Sequence, residues 1–233
     1  MKIGVMIPSF EQSCAPAMAF AEEVEAMGLH GLFCYDHLWP MGHPGLPSLS
    51  PFPLLAAIAS ITSKVHLGTL VARVGLEPDA VTVASFRSLV EVSDGRVIAA
   101  IGTGDHKSHQ ENLAFGLEIE LADLRREHLE RVAARLIAAG LETWIGGGAP
   151  ATNAIAHQLG CTVNVWAGRE DALAQIASEA SVSWGGQLPP TIEAGAQKLL
   201  ALQSAGASWA VLSWQGPLAP LLETIELARI PLG

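Results

Sequence analysis

Two hydrophobic periods alternate along the chain. Short β-branched or continuously apolar runs are each followed by a longer stretch whose apolar positions recur three and four residues apart. The strand-like runs are Lys2–Ile7, Gly31–Tyr35, Val65–Val71, Arg96–Gly102, Glu142–Gly146, Thr162–Trp166, Ser181–Trp184 and Ser208–Trp214. The helical stretches are Ala15–Met27, Pro51–Thr62, Ala80–Val92, Leu121–Ala139, Thr152–Leu159, Asp171–Ala180, Thr191–Ser204 and Pro217–Ala228. Strict alternation of this kind predicts a parallel sheet. Eight βα units of about thirty residues each match a closed (β/α)8 TIM barrel, usually ~250 residues long. The run Val97-Ile98-Ala99-Ala100-Ile101 is apolar on both faces, as expected of a strand covered by helices outside and filled by side chains inside. Gly28, Gly140, Gly160 and Gly206 each follow a helical stretch and precede a strand, the position where a left-handed residue ends a helix. In the longest helix Leu121, Leu124, Leu129, Val132 and Leu136 form the apolar stripe. Two connections are longer than the rest: the Pro- and Gly-rich Asp36–Ser50 and the run Thr103–Glu118. No linker or shift in composition divides residues 1–233, so a single domain is expected.

Composition narrows the class. Of 233 residues 50% are hydrophobic, and mean hydropathy is +0.35, which excludes disorder. Charged residues make up only 15%, low enough to suggest surface covered by a second copy, hence a homodimer. With 13 basic and 23 acidic residues the net charge is −10, against a nucleic-acid or anionic-membrane binder. No apolar run reaches the ~18 residues of a membrane helix, and Met1-Lys2-Ile3-Gly4-Val5 runs directly into a strand pattern, so no leader or anchor is expected. Cys14, Cys34 and Cys161 form no CxxC pair, which points to a reducing cytoplasm and no metal site.

A barrel places its chemistry at the C-terminal ends of its strands. There Asp36-His37 pairs a carboxylate that can set a tautomer with an imidazole that exchanges protons near neutrality; the same dipeptide also suits a surface histidine beside a helix cap. Glu11 follows the first strand, Arg73 the third, and Thr103-Gly104-Asp105 the fourth. Asp105 suits a second acid/base or an N-cap. Gly146-Gly147-Gly148 and Gly185-Gly186 read as phosphate cradles at helix N-termini or as tight turns. Trp39, Trp166, Trp184 and Trp214 suit the walls of a flat pocket or simple packing. Cys34 and Cys161 read as small buried strand residues. Ser-His-Asp spacing, HExxH, a Schiff-base lysine and a GxGxxG after the first strand are all absent, and strand-end carboxylates are too scarce for a two-carboxylate glycosidase.

Together these segments carry a family resemblance. Gly28-Leu-His-Gly-Leu-Phe-Cys-Tyr-Asp36-His37, Val65-His-Leu-Gly68-Thr69, Asp94-Gly95-Arg96, Ile101-Gly-Thr-Gly-Asp105 through Phe115-Gly116, and Trp144-Ile-Gly146-Gly147-Gly148 resemble, in order, segments of the bacterial luciferase-like flavin oxidoreductases. The resemblance covers most of residues 1–165 and is greatest to the branch that uses the deazaflavin coenzyme F420. It implies a TIM barrel, shortened here before the seventh strand, with a flat cofactor over its mouth, coenzyme F420 or alternatively FMN. It also implies a non-prolyl cis peptide ending the third strand, at Leu70–Val71. Thr69, Leu70, Val71, Thr103, Gly104 and Trp166 are then expected around the ring, and Gly146, Gly147, Gly148, Gly185 and Gly186 around the phosphate. His37 is expected as general acid/base or oxyanion stabiliser, Asp36 as its orienting group, and Asp105 and Glu11 as second candidates. The implied activity is hydride transfer to or from a small organic substrate. An FMN monooxygenase or flavin reductase, and a non-catalytic flavin-binding protein, are the alternatives. In the sugar-phosphate enzymes of the branch the acid of the Thr-Gly-acid motif is Glu; here it is Asp105, so their substrate is not carried over.

Overall fold

The computed structural model describes every residue except 105–107, 119, 168–169 and 215, and only the backbone of residue 170. Nine parallel strands, β1 (Lys2–Met6), β2 (Gly31–Cys34), β3 (His66–Thr69), β4 (Ala72–Arg73), β5 (Val97–Gly102), β6 (Glu142–Gly147), β7 (Thr162–Trp166), β8 (Val182–Gly186) and β9 (Ala207–Leu212), are ordered β3-β2-β1-β9-β8-β7-β6-β5-β4. A β3–β5 pairing, Leu67 with Val97 and Gly68 with Ile98, closes the barrel. The two-residue β4 carries β3 onward along β5, Ala72 opposite Ile101 and Arg73 opposite Gly102. The barrel thus has the eight staves that the alternation predicts. Outside run α1 (Ala15–Ala26), α2 (Pro51–Ala59), α3 (Asp79–Val92), α4 (His109–Ala114), α5 (Ala122–Ala138), α6 (Pro150–Leu159), α7 (Leu173–Glu179), α8 (Ile192–Ser204) and α9 (Ala219–Leu227). Helix α4 lies inside the long connection Thr103–Glu118, where the pattern suggests no helix of its own. The four glycines expected to stop helices do so, with φ between 69° and 94°.

Two apolar layers hold the barrel. The outer one lies between strands and helices, and the inner one fills the barrel with Met6, Phe33, Leu70, Ile98, Ala100, Trp144, Trp209 and Val211. Phe33, Trp144 and Trp209 meet with ring centroids 5.4–5.8 Å apart. Such large rings fit because small residues face them: a Cβ on Gly4 or Gly68 would stand within 3 Å of the Phe33 ring. The predicted stripe of α5 is only partly inward. Leu129, Val132 and Leu136 are fully buried, whereas Leu121, the N-cap residue before α5, and Leu124 in its first turn are 75% and 45% exposed. Among the described residues no helix is long and apolar enough to cross a membrane.

Candidate active site at the barrel mouth

Where β2 ends, the chain leaves the sheet as Tyr35-Asp36-His37. Tyr35 stacks on Phe10 from the β1 loop (5.6 Å, 12° between planes) and meets Trp166 edge-on (6.1 Å). Its hydroxyl donates to Ser213 Oγ at 3.1 Å, and burial pushes the phenol up against the opposing effect of that bond. The Leu70–Val71 peptide at the end of β3 is cis, as the resemblance implies. Val71 then points across the mouth, into the space that side chains on Gly102 and Gly146 would need.

The central finding is a charge cluster that sequence reasoning missed. His37 Nδ1 lies 3.1 Å from Glu111 Oε2, and Glu111 Oε1 lies 2.7 Å from Arg73 Nη1. Glu111 also accepts from the Leu38 N–H (3.3 Å), and Arg73 Nη1 donates to Asn112 Oδ1 (2.9 Å). The Glu111 and Arg73 side chains are 2% and 5% exposed, that of His37 20%. Three elements converge here: the β2 loop, β4 and α4. Ser48 Oγ donates to the His37 carbonyl (2.5 Å) and Leu49 N–H to the Ser9 carbonyl (2.8 Å), which ties the long β2 loop back onto the site.

Asp36 does not orient His37. Its Oδ2 accepts the backbone N–H of Arg73 at 2.7 Å, because the β4 backbone passes beside it, and the carboxylate at the imidazole is Glu111. Burial pushes the Asp36 carboxyl up, more than the Arg73 N–H and the Arg73 and His37 charges pull it down. Glu11 is exposed in the loop after β1, and Asp105 lies outside the described residues. Glu111 left one trace in the sequence, as a carboxylate in the longest connection, but nothing local says that it turns inward.

The other expected positions divide. Thr69 is fully buried and its hydroxyl donates to the Ala100 carbonyl (2.5 Å), so it cross-ties β3 to β5 and presents no hydroxyl to a ligand. Thr103 and Gly104 turn their carbonyls to Arg125 Nη1 at 2.8 and 3.0 Å. Gly147, Gly185 and Gly186 are the last residues of strands, not helix-opening turns. Their missing side chains make room for the protein itself. A Cβ on Gly147 would stand 2.5 Å from Val163 Cγ1, one on Gly185 2.6 Å from the Trp166 ring, and one on Gly186 2.6 Å from the Trp184 ring. Gly148 alone of the first trio has open space where a Cβ would be. Asn153 Oδ1, which a Cβ on Gly147 would meet at 2.7 Å, is buried without a hydrogen-bond partner among the described residues. Trp184 belongs to the core at 0% exposure, with Lys198 over its ring at 5.3 Å. Trp39 packs on Phe115 and Trp214 donates to the Pro217 carbonyl. Trp166, 39% exposed, is the tryptophan that lies across the mouth. Burial pushes the Cys34 and Cys161 thiols up to about 12 and about 11, which removes both as nucleophiles. Among the described residues no cluster fit to hold a metal occurs.

Comparison with known proteins agrees with this fold. One curated relative, the F420-dependent glucose-6-phosphate dehydrogenase of Nakamurella multipartita, is 32% identical over 87 residues, 36% of this chain and 25% of that one. The chain therefore matches only about a quarter of that relative's length. Among solved structures, the coenzyme F420-dependent tetrahydromethanopterin reductase of Methanopyrus kandleri superposes with a TM-score of 0.73 at 16% identity, over 99% of this chain and 98% of that one. The oxygenating constituent of 3,6-diketocamphane monooxygenase from Pseudomonas putida, in complex with FMN, superposes with a TM-score of 0.72 at 14% identity, over 100% and 99%. The family model of the luciferase-like monooxygenases matches residues 1–133, which span β1 to β5 and every member of the His37 cluster, and the chain belongs to that family.

Proposed function

We propose that the protein is an oxidoreductase that holds a flat flavin-type cofactor at the barrel mouth, coenzyme F420 in preference to FMN, and handles with His37 the proton that accompanies redox chemistry on a small organic substrate. The observation that carries this reading is the His37–Glu111 contact at the C-terminal end of β2. A carboxylate can only accept, so the Nδ1 that faces it bears the hydrogen, and neutral His37 keeps a lone pair on Nε2. That atom can take a proton from a substrate hydroxyl or, once protonated, return it to a carbonyl oxygen.

The mouth suits such a cofactor. Val71, Tyr35 and the exposed face of Trp166 offer apolar surface to a ring, and Gly148 has open space where a side chain would be. When bound, the cofactor supplies hydride transfer; the protein orients it and excludes water. The preference for coenzyme F420 rests on the sequence relatives, and the FMN-containing neighbour keeps FMN as the second reading. The chain is further proposed to pair as a homodimer through α2 and α3, where Ile61 just after α2 and Val81 and Val92 on α3 are 38–55% exposed.

The test is to record the visible absorption and fluorescence of the purified protein, identify any co-purified chromophore by mass spectrometry, and assay hydride exchange with reduced deazaflavin and with NAD(P)H plus FMN. Deazaflavin binding with exchange is expected. Turnover with FMN alone moves the assignment to the second reading, binding without any turnover makes this a flavin carrier, and failure to bind either cofactor sinks the proposal.

A further inference from the structure

Glu111 is a carboxylate with almost no access to water, and a group so placed stays ionised only if a cation compensates it. Two cations reach it. His37 is charged only when protonated, whereas Arg73 brings a guanidinium, a side chain that is cationic in proteins. Arg73 also stands closer, 2.7 Å against 3.1 Å. We infer that Arg73 is a positioning residue that neutralises Glu111, so that Glu111 orients His37 without locking it as an imidazolium. Without this compensation the full negative charge of Glu111 would fall on the imidazole, which would then hold its proton too tightly to act as a base near neutrality. The inference rests on the role of His37 proposed above.

The rest of the guanidinium supports a compensating role over a purely structural one. Among the described residues Nη1 is engaged, by Glu111 and Asn112, while Nε and Nη2 are buried without a hydrogen-bond partner. Arg73 lines a cavity of about 30 Å³, room for about one water, together with Gly104, Asn112, Glu120 and Arg125. Arg96, which ties the floor of the barrel, engages all three of its side-chain nitrogens instead. Among the described residues the other charged groups near the cluster make contacts elsewhere, although Arg125 Nε stays buried without a hydrogen-bond partner. Asp36 accepts the Arg73 backbone N–H, Glu120 Oε2 lies 3.3 Å from His128 Nε2, and Arg125 spends Nη1 on the carbonyls of Thr103 and Gly104. Glu118 shares the cavity lining, and the Tyr35 phenol is held by Ser213. The close ion pair of Arg73 is thus the one with Glu111.

The experiment follows the His37 imidazole by NMR titration of the whole protein without added cofactor, its signal identified by its loss in His37→Asn. Opposite shifts are expected from the two sides of the pair. Arg73→Met exposes His37 to uncompensated Glu111 and should raise its midpoint by about one unit or more, whereas Glu111→Gln leaves Arg73 uncompensated and should lower it by a similar amount. Arg73→Lys keeps the charge and should stay near wild type, and the double variant Arg73→Met/Glu111→Gln should fall between the singles. An unmoved midpoint in Arg73→Met, shifts of the same sign in both singles, or a lysine variant that behaves like methionine would overturn the inference. If Arg73→Met does not fold, Arg73→Gln, which also removes the charge while keeping a polar side chain, takes its place, and an unmoved midpoint there is equally fatal. Turnover is measured separately. If His37→Asn turns over at the wild-type rate, the proposed function fails while the titration still reads the coupling.

Discussion

Two arginines, one at each end of the barrel, show how differently this fold uses the same side chain. Arg96 enters β5 at the floor, and all three of its nitrogens are engaged: Nε with the Ser93 carbonyl, Nη1 with Thr62 Oγ1 and the Val65 carbonyl, Nη2 with the Ala59 and Thr62 carbonyls, at 2.8–3.1 Å. Beside it Glu25 gathers the N–H groups of Ser63, Lys64 and Val65 at 2.9–3.1 Å. These two side chains complete the polar groups of the loop before β3, where helix and strand ladders leave them open. At the mouth, among the described residues, Arg73 engages one side-chain nitrogen of three, and its Nε and Nη2 are buried without a partner. A floor satisfied by its own backbone has nothing left to offer a ligand. The mouth keeps donors and a compensated carboxylate in reserve, at a cost in stability that the floor makes good.

The largest effect that tests this contrast is catalytic. His37→Asn should keep the melting temperature and lower turnover by about 10²–10⁴-fold, the usual range for a lost general acid/base. Asp36→Asn should cost much less turnover than Glu111→Gln, since Asp36 bonds a backbone N–H and not the imidazole. Equal losses would return Asp36 to the orienting role.

Next comes the floor. Arg96→Met strips a charged donor from four carbonyls, and a stability loss of about 3 kcal/mol is expected in urea unfolding, with cofactor affinity unchanged per folded molecule. A variant that unfolds like wild type but binds cofactor poorly would reverse the assignment of the two ends.

The glycines sharpen the mouth. Gly147→Ala drives a methyl against Val163 and Asn153 and should cost about 1–3 kcal/mol, whereas Gly148→Ala meets open space and should stay within about 0.5 kcal/mol. A measurable loss of cofactor affinity in Gly148→Ala at unchanged melting temperature would mark that turn as a ligand contact.

The smallest effect is a pH dependence at the floor. Burial pushes the Glu25 carboxyl up, but the N–H donors of Lys64, Ser63 and Val65 outweigh it and hold it below its ordinary 4.5. A carboxyl lowered on folding contributes stability that is complete above its unfolded value and is lost as pH falls below 4.5 through the folded value. Wild type should therefore lose more stability between pH 6 and pH 3 than Glu25→Gln, by parallel thermal melts. Identical slopes would mean that the three N–H bonds do not depend on the charge.

The βα alternation, the barrel and the helix-ending glycines were legible in the sequence because they follow from local period and backbone conformation, which need no knowledge of distant residues. The family was legible for a related reason. Its segments around Asp36-His37, Gly68-Thr69 and Ile101-Gly-Thr-Gly are short local runs, and the cis bond at Leu70–Val71 came with them. What the tertiary structure alone decided is who faces whom at the mouth. Glu111 and His37 stand 74 residues apart and meet only because α4 folds down onto the β2 loop, while the adjacent Asp36 turns to the β4 backbone instead. Glycines that read as ligand cradles proved to be room for Trp166, Trp184 and Val163. A glycine in a sequence records only that a side chain would not fit, and the closed barrel decides which neighbour takes the space.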